Sequence, residues 1–400
     1  MLDFEFSLPT KVIFGRNAEE KIPELIQKNG FRKILLHSYD QETVERIPVY
    51  KKIKEMLTRE GIAFTELLGV QPNPTLRFIG KGIDLCRKEG VDFILAVGGG
   101  SVIDSAKGIG LGIHTSLEDV WRFAEGSKVP KAEDTVKVGV VLTAAAAGSE
   151  TSTAAVILNE EKNLKRGAHH EANRPFFAVM NPEITFTVPK FQTACGIFDS
   201  LMHVCERYFT ATQDASLTDR VAEAIMKSII EAGRRVMKNP HDYEARAALM
   251  WGASMAHNNL TGCGRLKGSG IHLIEEEMHS ANAGIVHGAG LSVIFPAWAR
   301  QVYTRKLARF VQFANRVWNI EINCEHPEET AVQGIERMEA LIRELKLPET
   351  MEDIGVSEAS FPMIADQCCQ NGRTVSNLCI LTRKDVCTIL ERCCKKKKDL

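Results

Sequence analysis

The stretch FILAVGGGSVIDSAK, residues 93–107, decides the fold of this chain. An apolar run typical of a buried strand leads directly into three glycines, and an amphipathic helix start follows. Glycines let the backbone approach a ligand closely, and the free N–H groups of a helix's first turn favour a pyrophosphate. Glycine-rich turns also serve plain packing of a strand on a helix, and the spaced GxGxxG fingerprint is absent. The motif alone leaves phosphate binding and a purely structural turn both open.

The first half of the chain repeats this alternation of short apolar runs and amphipathic stretches. Further apolar runs, each bounded by polar or turn-forming residues, occur at 33–37, 138–142 and 177–180. An amphipathic stretch covers residues 50–60. This rhythm is typical of βαβ units, which build a parallel sheet covered by helices.

The second half has a different pattern. After Pro189 the strand pattern fades, and apolar residues such as Val221, Ile225 and Ile229 recur at helical spacing. We therefore predict an α/β domain over residues 1–187 and an all-α domain over residues 188–400.

Composition favours small-molecule chemistry. The 400 residues are 44% hydrophobic, and 50 Lys and Arg balance 51 Asp and Glu, so no positive field attracts nucleic acid or anionic lipid. The opening residues lack the features of a secretion signal, and no apolar run reaches membrane-spanning length, so we expect a cytoplasmic protein. Eleven cysteines scattered through such a chain are expected to be free thiols.

Two groups of residues have the chemistry of metal ligands. Asp199 and His203 are four apart, so on a helix their side chains emerge on one face. An Asp–His hydrogen bond or a solvated helix face would explain that pair equally well. His272 and His287 follow further along, and a carboxylate with three imidazoles suits Fe(II) or Zn(II) and leaves a coordination position open for a substrate oxygen.

Four motifs together resemble a known family. They are GGGSVIDSAK at 98–107, GSE at 148–150, Asp199 with His203, and HGAGLSVIFPAW at 287–298. The chain is similar to the iron-dependent (group III) alcohol dehydrogenases, particularly the NAD(P)H-dependent butanol dehydrogenase branch, over nearly its whole length.

The resemblance implies a fold and an activity. The expected fold is an α/β Rossmann-like, dinucleotide-binding N-terminal domain plus an all-α, metal-binding C-terminal domain, a fold shared with dehydroquinate synthase. The expected activity is hydride transfer between NAD(P)H and a small primary alcohol or aldehyde, by a homodimer. The resemblance implies metal ligation by Asp199, His203, His272 and His287. With the glycine turn, it implies cofactor contacts at Asn73, Gly98, Gly99, Gly100, Ser101, Asp104, Thr143, Ser149 and Lys165.

Two departures from the family pattern concern the metal region. Relatives place a histidine four residues after the third ligand, whereas this chain has Glu276. We predict that Glu276 lies near the metal and nicotinamide and takes a catalytic role; the alternative is an exposed acidic helix face formed by residues 275–277. His272 is also one residue further from His287 than in relatives, so a bulge or longer loop is needed, and His279 is the fallback ligand.

The cofactor region departs as well. HSYDQE at 37–42 replaces the glycine-rich loop of NADPH-accepting relatives. The carboxylates of Asp40 and Glu42 would repel a 2′-phosphate and accept hydrogen bonds from a 2′-hydroxyl, which favours NAD over NADP. The segment TAAAAGSE at 143–150 lacks the family's second threonine, because Ala147 stands there.

Two other interpretations of the sequence remain. A dehydroquinate synthase-like lyase would need a cationic pocket for a phosphorylated acid, for which the helical half offers only Arg265 and Lys267. A family member impaired in cofactor or metal binding is suggested by Ala147, the replaced loop and the displaced His272.

Overall fold

The computed structural model describes residues 1–266, 268–370, 373, 375 and 378–394. The strands are β1 (Lys11–Phe14), β2 (Lys33–His37), β3 (Ala63–Leu67), β4 (Phe93–Gly98), β5 (Val138–Leu142), β6 (Ala154–Asn159), β7 (Leu164–His169) and β8 (Phe177–Met180). Six of them form a parallel sheet of order β1-β8-β5-β4-β2-β3, and β6 and β7 form a separate antiparallel pair. The predicted parallel sheet is confirmed.

Helices flank the sheet and make up most of the second half. In the first half they are α1 (Ile22–Lys28), α2 (Gln41–Glu45), α3 (Pro48–Arg59), α4 (Leu76–Glu89), α5 (Gly100–Gly112) and α6 (Leu117–Ala124). In the second half they are α7 (Lys190–Tyr208), α8 (Ser216–Lys238), α9 (Tyr243–His257), α10 (Gly270–Met278), α11 (His287–Val302), α12 (Leu307–Trp318), α13 (Pro327–Glu344), α14 (Phe361–Cys369) and α15 (Arg383–Arg392). None of these helices is both long and apolar enough to cross a membrane.

The sheet is buried on both faces. Ile94 and Ala96 of β4 belong to a core shared with α4, α5 and α6, whereas Phe93, Leu95 and Val97 belong to a second core shared with α1 and α3. Because successive side chains of a strand point to opposite faces, a strand between two cores must be apolar throughout. This explains the unbroken apolar run in the sequence.

The chain divides into two compact units. The α/β unit comprises Ser7–Val188 and His241–Ser254, and the helical unit comprises Met1–Phe6, Pro189–Pro240 and the described part of Met255–Leu400. The change after Val188 lies next to the expected boundary. Two segments depart from a simple division into 1–187 and 188–400: Met1–Phe6 belongs to the helical unit, and His241–Ser254 belongs to the α/β unit.

Local contacts explain both segments. Within the α/β unit, the ring of Trp251 packs against Phe14 with centroids 6.5 Å apart, and the Arg16 guanidinium lies 4.0 Å from the centre of the Tyr243 ring. Within the helical unit, the Leu2 amide donates a hydrogen bond of 2.9 Å to the carbonyl oxygen of Gly264. Side chains distant in sequence therefore complete each unit.

Candidate functional site

Three helices of the helical unit carry the four candidate metal ligands. Asp199 and His203 lie one turn apart on α7, His272 lies in the first turn of α10, and His287 is the first residue of α11. Residues 279–286 connect α10 to α11, so a loop accommodates the extra residue between the two histidines. The structure brings all four side chains together.

Glycines allow the helices to approach this closely. A Cβ atom on Gly288 would lie 2.2 Å from the carbonyl oxygen of Cys195 on α7, and one on Gly290 would lie 2.7 Å from Cγ of Glu275 on α10. Any side chain at Gly288 would clash with backbone, which cannot move aside cheaply. The HGAG sequence thus permits close packing of α11 beside α7 and α10.

A single carboxylate oxygen lies at the centre of the ligand group. Oδ1 of Asp199 is 3.3 Å from Nε2 of His203, 3.7 Å from Nε2 of His272 and 3.6 Å from Nε2 of His287. Nitrogen and oxygen ligands about 2.1 Å from a tetrahedral metal ion are roughly 3.4 Å from one another. The distances from this oxygen to the three imidazole nitrogens therefore match those between neighbouring ligands of one divalent cation. Among the described residues, Asp199, His272 and His287 offer ligand atoms that all lie within 4.8 Å of one another, and His203 joins this group through its 3.3 Å approach to Asp199.

Three of the donor atoms have no other partner. Oδ1 of Asp199, Nε2 of His203 and Nε2 of His272 are buried, and none makes a hydrogen bond with the described residues. A buried polar atom without a partner costs free energy. Convergence of such atoms on one point is the arrangement that a cation would satisfy, so the residues present fit a metal ion.

The surroundings shift the pKa values of His203 and His272 in opposite directions. Burial lowers the pKa of His203 well below its usual range, and the neighbouring His257 adds to this. Burial also lowers the pKa of His272, but the attraction of the nearby Asp199 and Glu206 carboxylates outweighs it and raises that pKa to about 9. Since an imidazole must be neutral to bind a metal, His272 would give up a proton on metal binding.

Two buried glutamates hold the opposite ring nitrogens. Oε1 of Glu206 accepts hydrogen bonds from the amides of Ile271 (2.6 Å) and His272 (2.8 Å) and lies 3.3 Å from Nδ1 of His272. Oε2 of Glu275 lies 2.5 Å from Nδ1 of His287. A carboxylate on Nδ1 fixes the tautomer that leaves Nε2 with a lone pair. Both rings are thus set to present Nε2 toward Asp199.

The glycine turn joins three neighbouring strands of the α/β unit. Gly98 ends β4, and its carbonyl oxygen accepts a hydrogen bond of 3.1 Å from the amide of Thr143, which follows β5. The Gly99 amide donates a 2.8 Å hydrogen bond to the hydroxyl of Tyr39, which follows β2. Gly99 is also the N-cap of α5 and offers no side chain to its first-turn amides. Ligands of open parallel sheets bind at this carboxyl edge of the strands.

Two predicted cofactor residues instead form a buried network behind the turn. Oδ1 of Asp104 accepts a 2.6 Å hydrogen bond from the Ser149 hydroxyl, and Oδ2 accepts one of 3.0 Å from the Val156 amide. Nζ of Lys107 donates to both oxygens of Ser149 and to the carbonyl of Ala154. These contacts tie α5 to the segment that follows β5.

The other predicted cofactor residues occupy several places around the sheet. Gly100 and Ser101 form the first turn of α5, and buried Lys165 of β7 acts electrostatically on Asp104. Asn73 has the left-handed φ of 57° just before Pro74. Asp40 is the N-cap of α2, where its carboxylate accepts a hydrogen bond from the Thr43 amide that lowers the pKa of Asp40.

Two family models match the chain. The iron-containing alcohol dehydrogenase model matches residues 9–182, and the C-terminal model of the Fe-containing alcohol dehydrogenase family matches residues 193–394. The chain belongs to the iron-containing alcohol dehydrogenase family. The family predicted from the sequence motifs is therefore confirmed.

Individual relatives match over almost the full length. The chain is 37% identical over 395 residues to NADH-dependent butanol dehydrogenase A of Clostridium acetobutylicum, covering 98% of this chain and 100% of that one. It is similar to the crystal structure of NADH-dependent butanol dehydrogenase A from Thermotoga maritima, with a TM-score of 0.93, 33% identity and 99% coverage of both chains. It is similar to Escherichia coli YqhD with a TM-score of 0.91 at 30% identity, covering 98% of this chain and 99% of that one. The predicted fold class is confirmed.

The three consecutive glutamates of α10, residues 275–277, do not form the exposed acidic helix face that their sequence allowed. Glu275 and Glu277 are buried, and Glu277 forms an ion pair with Arg373. The exposed acidic face is therefore wrong, because both carboxylates are buried and each has a polar partner, His287 for Glu275 and Arg373 for Glu277. Glu276 is half-buried one turn beyond His272, and its charge acts on the Cys368 thiol of α14.

The surroundings of His279 and Arg265 bear on the fallback ligand and on the lyase interpretation. His279 follows α10, with Nδ1 3.2 Å from the carbonyl oxygen of Glu275, and is outside the cluster around Asp199. The Arg265 guanidinium is buried and bonded to Asp219 and the Arg207 carbonyl, so it does not form a phosphate pocket. Lys267 lies outside the described residues.

Sequence reasoning missed several residues of the site. His257, at the end of α9, stacks on His203 with ring centroids 4.0 Å apart and planes 14° apart. Glu206, Glu275 and Tyr39 were also not identified, although Glu206 lies one turn after the Asp199–His203 pair. Only that spacing on α7 could have indicated Glu206, because the other contacts depend on how helices and strands pack.

Proposed function

We propose that this chain is a metal-dependent oxidoreductase that transfers a hydride between NAD(P)H and a small primary alcohol or aldehyde. The observation that carries the proposal is the convergence of three imidazole nitrogens within 3.7 Å of one oxygen of Asp199. Family membership and the names of the butanol dehydrogenase relatives support the same activity. A divalent cation, Fe(II) or Zn(II), supplies Lewis acidity toward the substrate oxygen when it is bound.

The ligand residues would hold the metal and set the direction of substrate approach. The side chains of Asp199, His203 and His272 are between 6% and 11% exposed, whereas that of His287 is 29% exposed. Three ligands therefore lie in a setting that excludes water, and the side of His287 is the accessible one. We infer that the substrate oxygen reaches the remaining coordination position from that side.

In the proposed function, the α/β unit binds the dinucleotide. The first turn of α5, with Gly99, Gly100 and Ser101, would bind the diphosphate, since helix amides and the helix dipole favour an anion. Asp104, Ser149 and Lys165 would support the turn from behind, and Asn73 and Thr143 would complete it. NADH is the proposed cofactor because Asp40 is held as an anion by the Thr43 amide.

Glu276 remains the proposed specificity residue of the active site. It follows His272 by one helical turn and is neither fully buried nor fully exposed. A carboxylate near a divalent cation stays ionised and can accept a hydrogen bond from a substrate hydroxyl. The homodimer and the cytoplasmic location also remain predictions; light scattering of the purified protein tests the first, and fractionation of the source cells the second.

The deciding experiment measures metal content and turnover together. Protein loaded anaerobically with Fe(II) or Zn(II) should bind one ion per chain and oxidise NADH in the presence of butanal. His203→Ala and His272→Ala should each abolish stoichiometric binding, whereas His279→Ala should retain it. Loss of the ion from His279→Ala but not from His272→Ala would reverse the assignment. Binding of the ion without turnover of any aldehyde or alcohol would favour an impaired family member.

A further inference from the structure

The hydroxyl of Tyr39 occupies an unusual place beside the glycine turn. Its oxygen accepts a hydrogen bond of 2.8 Å from the Gly99 amide. The Thr143 side chain is a second hydrogen-bonding partner of the same hydroxyl. Tyr39, Gly99 and Thr143 follow β2, β4 and β5, which are adjacent in the parallel sheet. One phenol therefore links three neighbouring strand ends at the edge where ligands of such sheets bind.

The packing of Tyr39 fixes the position of this hydroxyl. Its ring packs against the hydrophobic cores on both faces of the sheet, and its carbonyl oxygen accepts a 3.1 Å hydrogen bond from the Gly69 amide. A Cβ atom at residue 99 would lie 3.1 Å from the phenol oxygen and 3.5 Å from Cβ of Ala144. Glycine at this position is thus what allows the phenol to reach the backbone amide.

The hydroxyl keeps a proton that it can donate. Burial raises the pKa of Tyr39, although the Gly99 amide and the Thr143 side chain oppose this, so the phenol is protonated at neutral pH. Among the residues that the structure describes, no carboxylate or carbonyl oxygen accepts a hydrogen bond from it. A phenol oxygen that accepts the Gly99 amide still has its O–H donor, and a charged phosphate oxygen is a stronger acceptor than a neutral hydroxyl such as that of Thr143.

We propose that Tyr39 is a diphosphate-binding residue, whose hydroxyl donates to a phosphate oxygen of the dinucleotide while it accepts the Gly99 amide. The inference rests on the proposed function, because it requires a dinucleotide at the glycine turn. It extends the turn by a side-chain donor from β2, the same segment that carries Asp40. The segment after β2 would then contact both the diphosphate and the adenosine ribose.

The test measures binding rather than turnover. NADH, ADP and adenosine are titrated into metal-loaded wild-type protein and into Tyr39→Phe by calorimetry. A hydrogen bond to a charged group contributes about 1.5–3 kcal/mol, so NADH and ADP should each bind about tenfold or more weakly to the variant. Adenosine, which has no phosphate, should be unaffected. Thr143→Val, which leaves the phenol in place, should weaken ADP binding less than Tyr39→Phe does.

A matched control separates this effect from general loss of a phenol. The Tyr50 hydroxyl donates a 2.7 Å hydrogen bond to Glu66 in the same unit, away from the turn, so Tyr50→Phe should leave ADP affinity within about twofold of wild type. Equal or tighter binding of ADP by Tyr39→Phe would overturn the inference. The hydroxyl would then only occupy the Gly99 amide and keep it from donating to a phosphate. Wild-type protein that binds neither NADH nor NADPH would overturn the proposed function together with the inference.

Discussion

Single carboxylates behind the ligand histidines control how those rings are presented. Glu275 is fully buried and lies against Nδ1 of His287, so it fixes both the tautomer and the rotation of that ring. Loss of such an outer carboxylate commonly weakens metal binding by about 10- to 100-fold. The affinity of this site is therefore expected to depend on residues that never touch the ion.

The variant Glu275→Gln tests that dependence. It should weaken binding of Zn(II) by about 10- to 100-fold, measured by competition with a chromogenic chelator. Glu277→Gln is the matched control, because Glu277 is also buried on α10 but pairs with Arg373 rather than with a histidine. The control should lower stability and leave the metal affinity unchanged. Equal losses of affinity in the two variants would assign Glu275 a purely structural role.

Glu276→His introduces the family residue at the position where this chain departs from its relatives. If Glu276 faces the substrate, the variant should change the ratio of kcat/KM between short and long aldehydes, or the metal content. Exposed Glu344→His on α13 serves as the control and should change neither. Kinetics and metal content identical to wild type would place Glu276 in the packing between α10 and α14.

The candidate ligands could be picked out from the sequence to the extent that their proximity depends on local spacing. Asp199 and His203 are four apart on one helix, and that interval alone places them on one face. His257, Glu206 and Glu275 reach the ligands from three different helices. The spacing on α7 could have indicated Glu206, but the positions of His257 and Glu275 depend on helix packing, which leaves no periodic signal in the chain. His257 and Glu275 were missed for this reason.

At the scale of elements, burial decided which strands could be predicted. The runs that became β2, β4, β5 and β8 lie in the interior of the sheet; β4, β5 and β8 are apolar throughout, and β2 has an apolar centre between Lys33 and His37. Edge strands β1 and β3 are partly exposed, and β3 reads AFTEL with no buried residue. The hairpin of β6 and β7 contains charged residues and was not predicted. Strands that pack on only one side lack the continuous apolar run on which the prediction relied.

The loop from β2 to α2 should determine the choice between the two nicotinamide cofactors. Asp40→Gly removes the carboxylate proposed to face the adenosine ribose, so the ratio of kcat/KM for NADH over NADPH should fall by about tenfold. Ser116→Gly is the matched control, because Ser116 also caps a helix by accepting a backbone amide but carries no charge. An unchanged cofactor ratio in Asp40→Gly would show that another residue selects the cofactor.

The junction between α5 and the segment after β5 depends on one buried ammonium. The three N–H donors of Lys107 are shared among four oxygen atoms, on Ser149, Ser152 and Ala154, and burial lowers the pKa of Lys107 to about 8. Lys107→Met keeps the length of the side chain but leaves those acceptors and Asp104 without their cation. We expect a loss of about 3–5 kcal/mol in the free energy of unfolding, measured by urea denaturation.

The control for this measurement is Lys51→Met on α3. The Lys51 side chain is 84% exposed, so its loss should change the free energy of unfolding by less than about 0.5 kcal/mol. A loss below 1 kcal/mol in Lys107→Met would mean that water replaces the ammonium in the network. Measured ADP affinity would then show whether the turn itself keeps its shape.

Across the whole molecule, the burial of the cysteines predicts which thiols react with a modifying reagent. All eleven are free thiols, as predicted, and Cys324 is the exposed one among them. Burial raises the pKa of Cys86 and of Cys195 to about 12, which suppresses the reactive thiolate. Ellman's reagent should therefore modify Cys324 first in native protein and all eleven thiols only after denaturation. A reducing agent should not change the melting temperature. Fewer than eleven thiols in denatured, unreduced protein would contradict the prediction.

The path of the chain between the two units bears on the order of events during synthesis. Tyr243 and Trp251 belong to the α/β unit, so that unit is incomplete when Val188 leaves the ribosome. At about 5–20 residues per second, translation of the missing stretch takes roughly 3–13 s. Leu2 waits longer still, until Gly264 has been made. The nascent chain therefore carries all six strands of the sheet for seconds before Trp251 can cover Phe14 of edge strand β1, and during that time a ribosome-bound chaperone has access to this edge.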